Sequence, residues 1–484
     1  MSLLHGIFSD RKGPLLIDAA GAQDATKFSH QVWRMAEQLS AAGVRCVASR
    51  LDNGCDWLAL DLALRQLDLV HVPAPMFFSP AQISHLLESS GADAWVGQQA
   101  PGDAWTSAGA GLWINARPDD TRPVLPRGTA CMTYTSGTTG RPKGVCLAES
   151  SLLAVAQSLV AAMEPLDVRR HLCLLPMATL LENVAGFYAP LISGAAIAVP
   201  GLAEIGYSGA SGIDVPKLLH CLHRYQPESI ILVPQLLLAM VAAAENGIAP
   251  PSSLKFIAVG GARVGAALLA RAAALGLPVF EGYGLSECAS VVTLNRPGLS
   301  QPGSAGQALP HASVRVADDG EIHVAGATYL GYVGDTEPAA REYATGDLGE
   351  IDADGFLHIR GRRRNVFITS YGRNVNPEWV EAELVQHPLI AQAVVYGEAR
   401  PSNAAVIVPR RADISAAAIA SALREVNAGL PDYAHVSHVV CADAPFDMAN
   451  GQFTANGRPR RDAIWQTYGD AVSRLYDVST EDHS

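Results

Sequence analysis

Between residues 27 and 100 the chain alternates helical and strand patterns, and this alternation constrains its fold more than any other feature. The segment 27–43, KFSHQVWRMAEQLSAAG, repeats apolar residues at three- and four-residue spacing and stops at Gly43, as an amphipathic helix would. VRCVASRL at 44–51 reads as a strand, DWLALDLALRQLD at 56–68 as a second amphipathic helix, and LVHVPAP at 69–75 as another strand. SPAQISHLLESSG at 79–91 opens on Ser-Pro and closes on glycine, and ADAWVG follows it. Strands separated by a helix must cross over to pair, so the repeat predicts a mainly parallel sheet with helices on both faces.

The rhythm continues through SLLAVAQSLVAAM, HLCLLPM, VPKLLHCLHRYQP, ESIILVP, QLLLAMVAAAENG, LKFIAVGG and ALLARAAALGLP. From about residue 303 the texture changes to short strands, with hairpin signals at ADDGE and ADGF. Beyond residue 362 a further set of helices (NPEWVEAELVQH, SAAAIASALREVNAGL) and strands (IAQAVVYG, NAAVIVPR) forms its own α+β unit. A chain of 484 residues is too long for one ordinary domain, and 49% hydrophobic with 17% charged residues is a globular composition. The expectation is an α/β protein: a large N-terminal domain over 1–361 with a small β-rich subdomain, and a small α+β domain over 362–484.

The chemistry is announced by Met132 to Leu147, MTYTSGTTGRPKGVCL. Five hydroxyl side chains (Thr133, Thr135, Ser136, Thr138, Thr139), three glycines (Gly137, Gly140, Gly144) and Lys143 fall within twelve residues. Such a stretch makes neither a good helix nor a packed strand. Its glycines permit unusual turns, and its hydroxyls and backbone N–H groups supply converging donors beside an ammonium, which suits phosphate oxygens. A Walker loop needs four residues between its glycines and Gly-Lys-Ser/Thr at its end. Here two residues separate Gly137 from Gly140 and Lys143 is followed by Gly144, so this is not a Walker loop.

The stretch resembles the signature T-S-G-T-T-G-x-P-K-G of the acyl- and aryl-adenylating (AMP-forming) enzymes, in which it holds the β- and γ-phosphates of ATP. By that resemblance Thr135, Ser136, Gly137, Thr138, Thr139 and Lys143 bind phosphate. EGYGLSE at 281–287 resembles Y-G-x-[ST]-E, which implies Gly282 and Tyr283 beside adenine, Ser286 on the α-phosphate and Glu287 on Mg²⁺. One carboxylate suffices chemically, because Mg²⁺ keeps waters and phosphate oxygens as its other ligands. YATGD at 343–347 resembles Y-x-T-G-D, whose aspartate, here Asp347, binds the ribose diol with two acceptor oxygens. VGGAR supplies Gly260, Gly261 and Ala262 to the adenine and acyl walls.

GRRRNVFITSYGRNVNPEWVE at 361–381 resembles the family's hinge, beyond which the C-terminal domain is mobile. It implies that Arg362 reaches the nucleotide, that Thr369 to Gly372 line the thiol tunnel, and that Arg364 stands where Asp or Lys is usual. TANGRPRR at 454–461 resembles T-x-x-G-K-x-x-R, with Arg458 in place of the adenylating lysine. Arginine keeps the charge and can fork across two oxygens, but its reach differs. LPMATLLENVAGFYAPLISGA at 175–195 resembles the acyl-site stretch of long-chain acyl-CoA synthetases, with Thr179 where histidine is usual and Asn183 and Val233 as further acyl-pocket residues. No aspartate falls between Leu174 and Ser193, which disfavours a free α-amino acid.

The resemblance spans about residues 27–465 and implies ATP-driven activation of a carboxylic acid, with a fatty acid expected. Acyl transfer to the phosphopantetheine thiol of CoA then gives a thioester and AMP. The alternatives are an acyl-carrier-protein ligase, an amide-forming ligase, or a catalytically weakened acyl- or nucleotide-binding member. A net charge of −12 argues against nonspecific nucleic-acid binding. The charged start MSLLHGIFSDRK argues against a signal peptide, and prolines and glycines within 187–203 favour a buried strand-turn element over a membrane span. Eight dispersed cysteines without a C-x-x-C pair fit reduced thiols, no zinc site and a cytoplasmic setting.

Overall fold

The computed structural model describes residues 13–115, 123–135, 143–208, 212–371, 373–454 and 458–478. Two large sheets dominate. The nine-stranded sheet runs parallel through Val279–Leu285, Phe256–Val259, Ser229–Leu232, Arg170–Leu172, Ala196–Ala198 and Leu16–Asp18, with antiparallel strands at both edges. In the eight-stranded sheet, Thr129–Thr135, Val70–Pro73, Cys46–Arg50 and Ala94–Gly97 pair in parallel at the centre. The strand–helix repeat therefore made parallel sheets, as its connectivity requires. A four-stranded antiparallel sheet (Ala312–Val316, Glu321–Gly326, Glu342–Ile351, Leu357–Arg362) carries both expected hairpins. Beyond it, a three-stranded sheet (Ile390–Tyr396, Asn403–Pro409, Val436–Cys441) and the helices Pro377–Leu384, Ala416–Asn427 and Arg461–Val478 form the α+β unit.

Local chemistry sets the helix ends. Asp24 caps Ala25–Ala42 by accepting from the Lys27 N–H, and Gly43 ends it in the left-handed region at φ 64°. Ser79 and Gln82 form a reciprocal capping box at the start of Pro80–Ser90. No helix among the described residues is long and apolar enough to cross a membrane.

Three expectations give way here. The helix Cys55–Gln66 is not amphipathic: it is buried on all sides between the sheets, with Asp61 and Arg65 inside. Asp61 survives burial because it is hydrogen-bonded on both oxygens, and Arg65 lies 3.8 Å from it, one turn along the helix. Asp61 lies 2.6 Å from His71 Nδ1 and accepts from the Tyr188 hydroxyl at 2.6 Å, while Ser49 Oγ meets His71 Nε2 at 2.8 Å. Burial alone would raise the Asp61 carboxyl, but His71 and Arg65 outweigh it and hold it at about 2. The second correction concerns 187–203, where Phe187 and Tyr188 end a π-helix (Glu182–Tyr188) followed by the helix Ala189–Ser193 and the strand Ala196–Ala198. The third is at the Gly/Thr segment, whose ends are packed strands: Thr129–Thr135 pairs with Lys143–Ala148, with Thr135 opposite Lys143. Met132, Tyr134, Val145, Cys146 and Leu147 are buried there, so apolar side chains made strand of what the hydroxyls alone would leave as loop.

Candidate active site

A cleft of about 3280 Å³ lies between the two large sheets and the C-terminal unit. Single-ligand pockets occupy roughly 300–1,000 Å³, so a cleft this large joins several subsites. Its walls include Thr133, Lys143, Thr179, Val233, Gly260, Gly261, Ala262, Gly282, Tyr283, Ser286, Glu287, Asp347, Arg362 and Arg458. Residues more than 300 positions apart in sequence thus meet at one place.

Asp347 is held there by three partners. One of its oxygens lies 2.7 Å from Arg362 Nε, the other accepts from the Tyr283 hydroxyl at 2.7 Å, and its own N–H donates to Thr345 Oγ1 at 3.0 Å. Burial raises this carboxyl, while Arg362 and the Tyr283 hydroxyl pull it back down. Both oxygens keep a second lone pair for a diol. Arg362 and Asp347 face each other because they are partners in the antiparallel register of the small β-sheet.

The motif around Tyr283 bends sharply. Strand Val279–Leu285 gives way to a single 3-10 turn at Ser286–Cys288, and Ala289 and Ser290 then adopt φ values of 53° and 107°. Side chains at Gly284 are excluded, because a Cβ there would overlap the Ser290 carbonyl. This bend turns Glu287 into the cleft, where its Oε1 accepts from the Tyr332 hydroxyl at 3.1 Å. Lys143 Nζ lies 5.2 Å from the centre of the Tyr332 ring. Glu287 lines the cleft with one oxygen bonded to Tyr332, and a carboxylate is the kind of hard oxygen donor that a divalent cation takes.

Arg458 comes from the C-terminal unit and crosses the cleft. Its Nε and Nη2 donate to the Gly261 carbonyl at 3.2 and 2.6 Å. Gly261 presents that carbonyl from a left-handed turn at φ 82°, and a Cβ at the preceding Gly260 would come within 3.2 Å of the Gly282 carbonyl oxygen. Glycines here let backbone approach backbone, in a loop whose amides and carbonyls are themselves the contact surface.

Not every expected residue is placed with these. Ser136, Gly137, Thr138, Thr139 and Gly372 lie outside the described residues, as does the side chain of Thr135. Thr369 is buried in its own turn, where its Oγ1 accepts from the Arg373 N–H at 3.2 Å, and it does not line the cleft. Asn183, expected in the acyl pocket, does not line the cleft either. From the π-helix it lines a small cavity together with Asp61, His71, Thr133 and Thr179. Its Nδ2 has no hydrogen-bond partner among the described residues. Thr179 itself donates to the Pro176 carbonyl at 2.7 Å and lines both spaces.

Sequence reasoning missed Tyr332, whose signal was only a tyrosine in a turn (GYVGD), and Glu281, the residue before Gly282. Glu281 accepts from the Gly303 N–H at 2.7 Å, and burial, opposed by that bond and by Arg263, raises its carboxyl to about 7. His171, Cys173 and Glu182 bring potential metal-ligating atoms within 4.8 Å of one another, but all three are buried and none lines the cleft. All eight cysteines are free thiols.

The family model described as AMP-binding enzyme matches residues 24–333, and the model described as AMP-binding enzyme C-terminal domain matches 364–480. A long-chain-fatty-acid–CoA ligase of Mycobacterium bovis is 30% identical over 369 residues, which are 63% of this chain and 58% of that ligase. The chain therefore spans less than two thirds of the length of that relative. An anthranilate CoA ligase solved with anthranoyl-AMP superposes with a TM-score of 0.78 at 19% identity, over 96% of each chain. An o-succinylbenzoate coenzyme A synthetase from Bacillus subtilis, solved with ATP and magnesium ion, superposes with a TM-score of 0.74 at 24% identity, over 95% of this chain and 98% of that one. Both structural likenesses establish the fold.

Proposed function

We propose, from the premise that this chain belongs to the AMP-binding enzyme family, that it is an AMP-forming acid–thiol ligase using ATP, a carboxylic acid and CoA. The observation that carries the reading is the convergence of Lys143, Glu287, Tyr283, Asp347 and Arg362 with Arg458, which arrives from the C-terminal unit, on one cleft. Relatives named for fatty-acid, anthranilate and o-succinylbenzoate activation support the acid–CoA class without choosing among acids. A fatty acyl substrate is our choice within that class. The wall of the cleft near Thr179 and Val233 is apolar, built from Leu181, Leu236, Leu238 and Ala239, and offers few orienting polar groups.

A carboxylate is a poor electrophile, so it must first be given a leaving group. One carboxylate oxygen attacks the α-phosphorus of ATP, the bond to the bridging oxygen breaks, and pyrophosphate departs. Asp347 binds the ribose diol, with Arg362 and Tyr283 fixing its orientation. Ser286 contacts the α-phosphate, and Lys143 and Arg458 spread the charge that develops as the phosphorus is attacked. Mg²⁺, when bound at Glu287, would neutralise phosphate charge. The thiol sulfur of CoA then attacks the acyl carbon of the adenylate and expels AMP. We place the boundary between a large domain, 1–361, and a C-terminal domain, 362–484, that rotates between the two steps. Thr369 would line the thiol path only after that rotation, which accounts for its position off the cleft.

ATP–pyrophosphate exchange across a panel of acids, followed by trapping with CoA or a holo-carrier protein, tests the reading. Acid-dependent exchange with CoA as the preferred acceptor supports it. ATP hydrolysis indifferent to every acid would sink it.

A further inference from the structure

Three residues beyond Arg458, Arg461 opens the helix Arg461–Val478 and turns its guanidinium inward. Nη2 lies 2.6 Å from both oxygens of Glu381, and Nη1 donates to the Val395 carbonyl at 2.9 Å. Glu381 in turn accepts from the Val395 N–H at 2.6 Å, and the Tyr396 hydroxyl donates to the Arg461 carbonyl at 2.9 Å. The two side chains are 18% and 11% exposed, so this is a nearly buried, fully bonded pair. It ties three elements together: the helix Pro377–Leu384, the strand Ile390–Tyr396 and the start of the last helix.

Arg458 has little of its own to hold it. Its guanidinium reaches only the Gly261 carbonyl, and among the described residues it forms no ion pair. Its backbone exchanges bonds of 3.0 and 2.8 Å with Thr454, and three residues further on the chain is anchored through Arg461. One guanidinium nitrogen on the carboxylate and a second on the Val395 carbonyl fix the direction of the Arg461 side chain as well as its distance. A placement error of 1 Å at a reacting group can cost about 100-fold in rate.

We infer that Glu381 and Arg461 are positioning residues for adenylate formation, acting by fixing the segment that delivers Arg458 to the cleft. The inference rests on the proposed ligase reading. It differs from a general stabilising role, because thioester formation from a ready-made adenylate does not need Arg458 in the cleft.

The full chain is compared as wild type, Glu381→Gln, Arg461→Lys, Arg458→Ala and the double variant Glu381→Gln/Arg458→Ala. Two rates are read: ATP–pyrophosphate exchange, and thioester formation from chemically supplied acyl-adenylate and CoA. Glu381→Gln should lower exchange by about 10- to 100-fold and leave the second rate within about twofold. The double variant should exchange no worse than Arg458→Ala alone, since both changes remove one function. Arg461→Lys, which keeps the charge but loses the second nitrogen's bond to the Val395 carbonyl, should repeat the pattern and serves if Glu381→Gln does not fold. Equal loss of both rates, losses that multiply in the double variant, or wild-type exchange in Glu381→Gln each overturn the inference while the ligase reading stands. Absence of exchange by the wild type with any acid removes both.

Discussion

Asp347 shows how much a single side chain can organise. Its carboxylate is held at 2.7 Å by a guanidinium on one side and at 2.7 Å by a phenol on the other, and hydrogen bonds to charged groups contribute about 1.5–3 kcal/mol each. Asp347→Asn should therefore raise the KM for ATP by about 10- to 100-fold in the exchange assay, with the melting temperature changed less than for a core cavity. Glu281 behaves differently, because burial has raised its carboxyl from 4.5 to about 7. In that window the folded chain binds a proton that the unfolded chain has lost. The contribution of Glu281 to stability is thus full below pH 4.5 and is lost as pH rises through 7. Glu281→Gln cannot titrate. Its melting temperature relative to wild type should rise between pH 5 and pH 8, by an amount worth about 3 kcal/mol at most; a difference that stays flat with pH would refute the placement.

At the scale of elements, the strand–helix alternation, the capped helices and both hairpins were legible because each follows from side-chain period and end chemistry within about a dozen residues. The helix Cys55–Gln66 was misread as amphipathic because Asp61 is held inside by His71 and Tyr188, which arrive from other elements, and by Arg65 one turn further along the same helix. The π-helix was invisible for a similar reason. Its wider turn depends on what surrounds it, and within it Asn183 lines the small cavity rather than the cleft. The bend after Tyr283 makes a sharp prediction. Gly284→Ala would drive a Cβ into the Ser290 carbonyl, which is backbone and cannot swing away. A loss of more than about 3 kcal/mol in urea unfolding is expected, whereas Ser286→Ala on the same turn should change stability by less than about 0.5 kcal/mol and reveal itself in the exchange rate.

Across the whole molecule, the C-terminal unit docks where the N-terminal one has no side chain. Gly265 lies against Gln386 and Ala382, and a Cβ there would overlap the Gln386 amide. The helix Ala266–Ala274 has no side-chain cap of its own, and its first N–H donates to Glu383 of the other unit at 3.4 Å. This contact and the bond from Arg458 to Gly261 hold the same arrangement. Gly265→Val should oppose it and slow pyrophosphate exchange by about tenfold, with thioester formation from supplied adenylate spared; equal slowing of both steps would show that docking is not specific to this arrangement. The motifs around Lys143, Tyr283, Glu287, Asp347 and Arg458 carried the resemblance from which the chemistry was expected, because each is a short local run of residues that can be read without the fold. That Tyr332 would bridge Lys143 to Glu287, that Asn183 would turn away, and that Arg461 would stand behind Arg458 could be decided only by tertiary structure. Those are contacts between segments far apart in the chain, and their geometry is set by packing rather than by any local pattern.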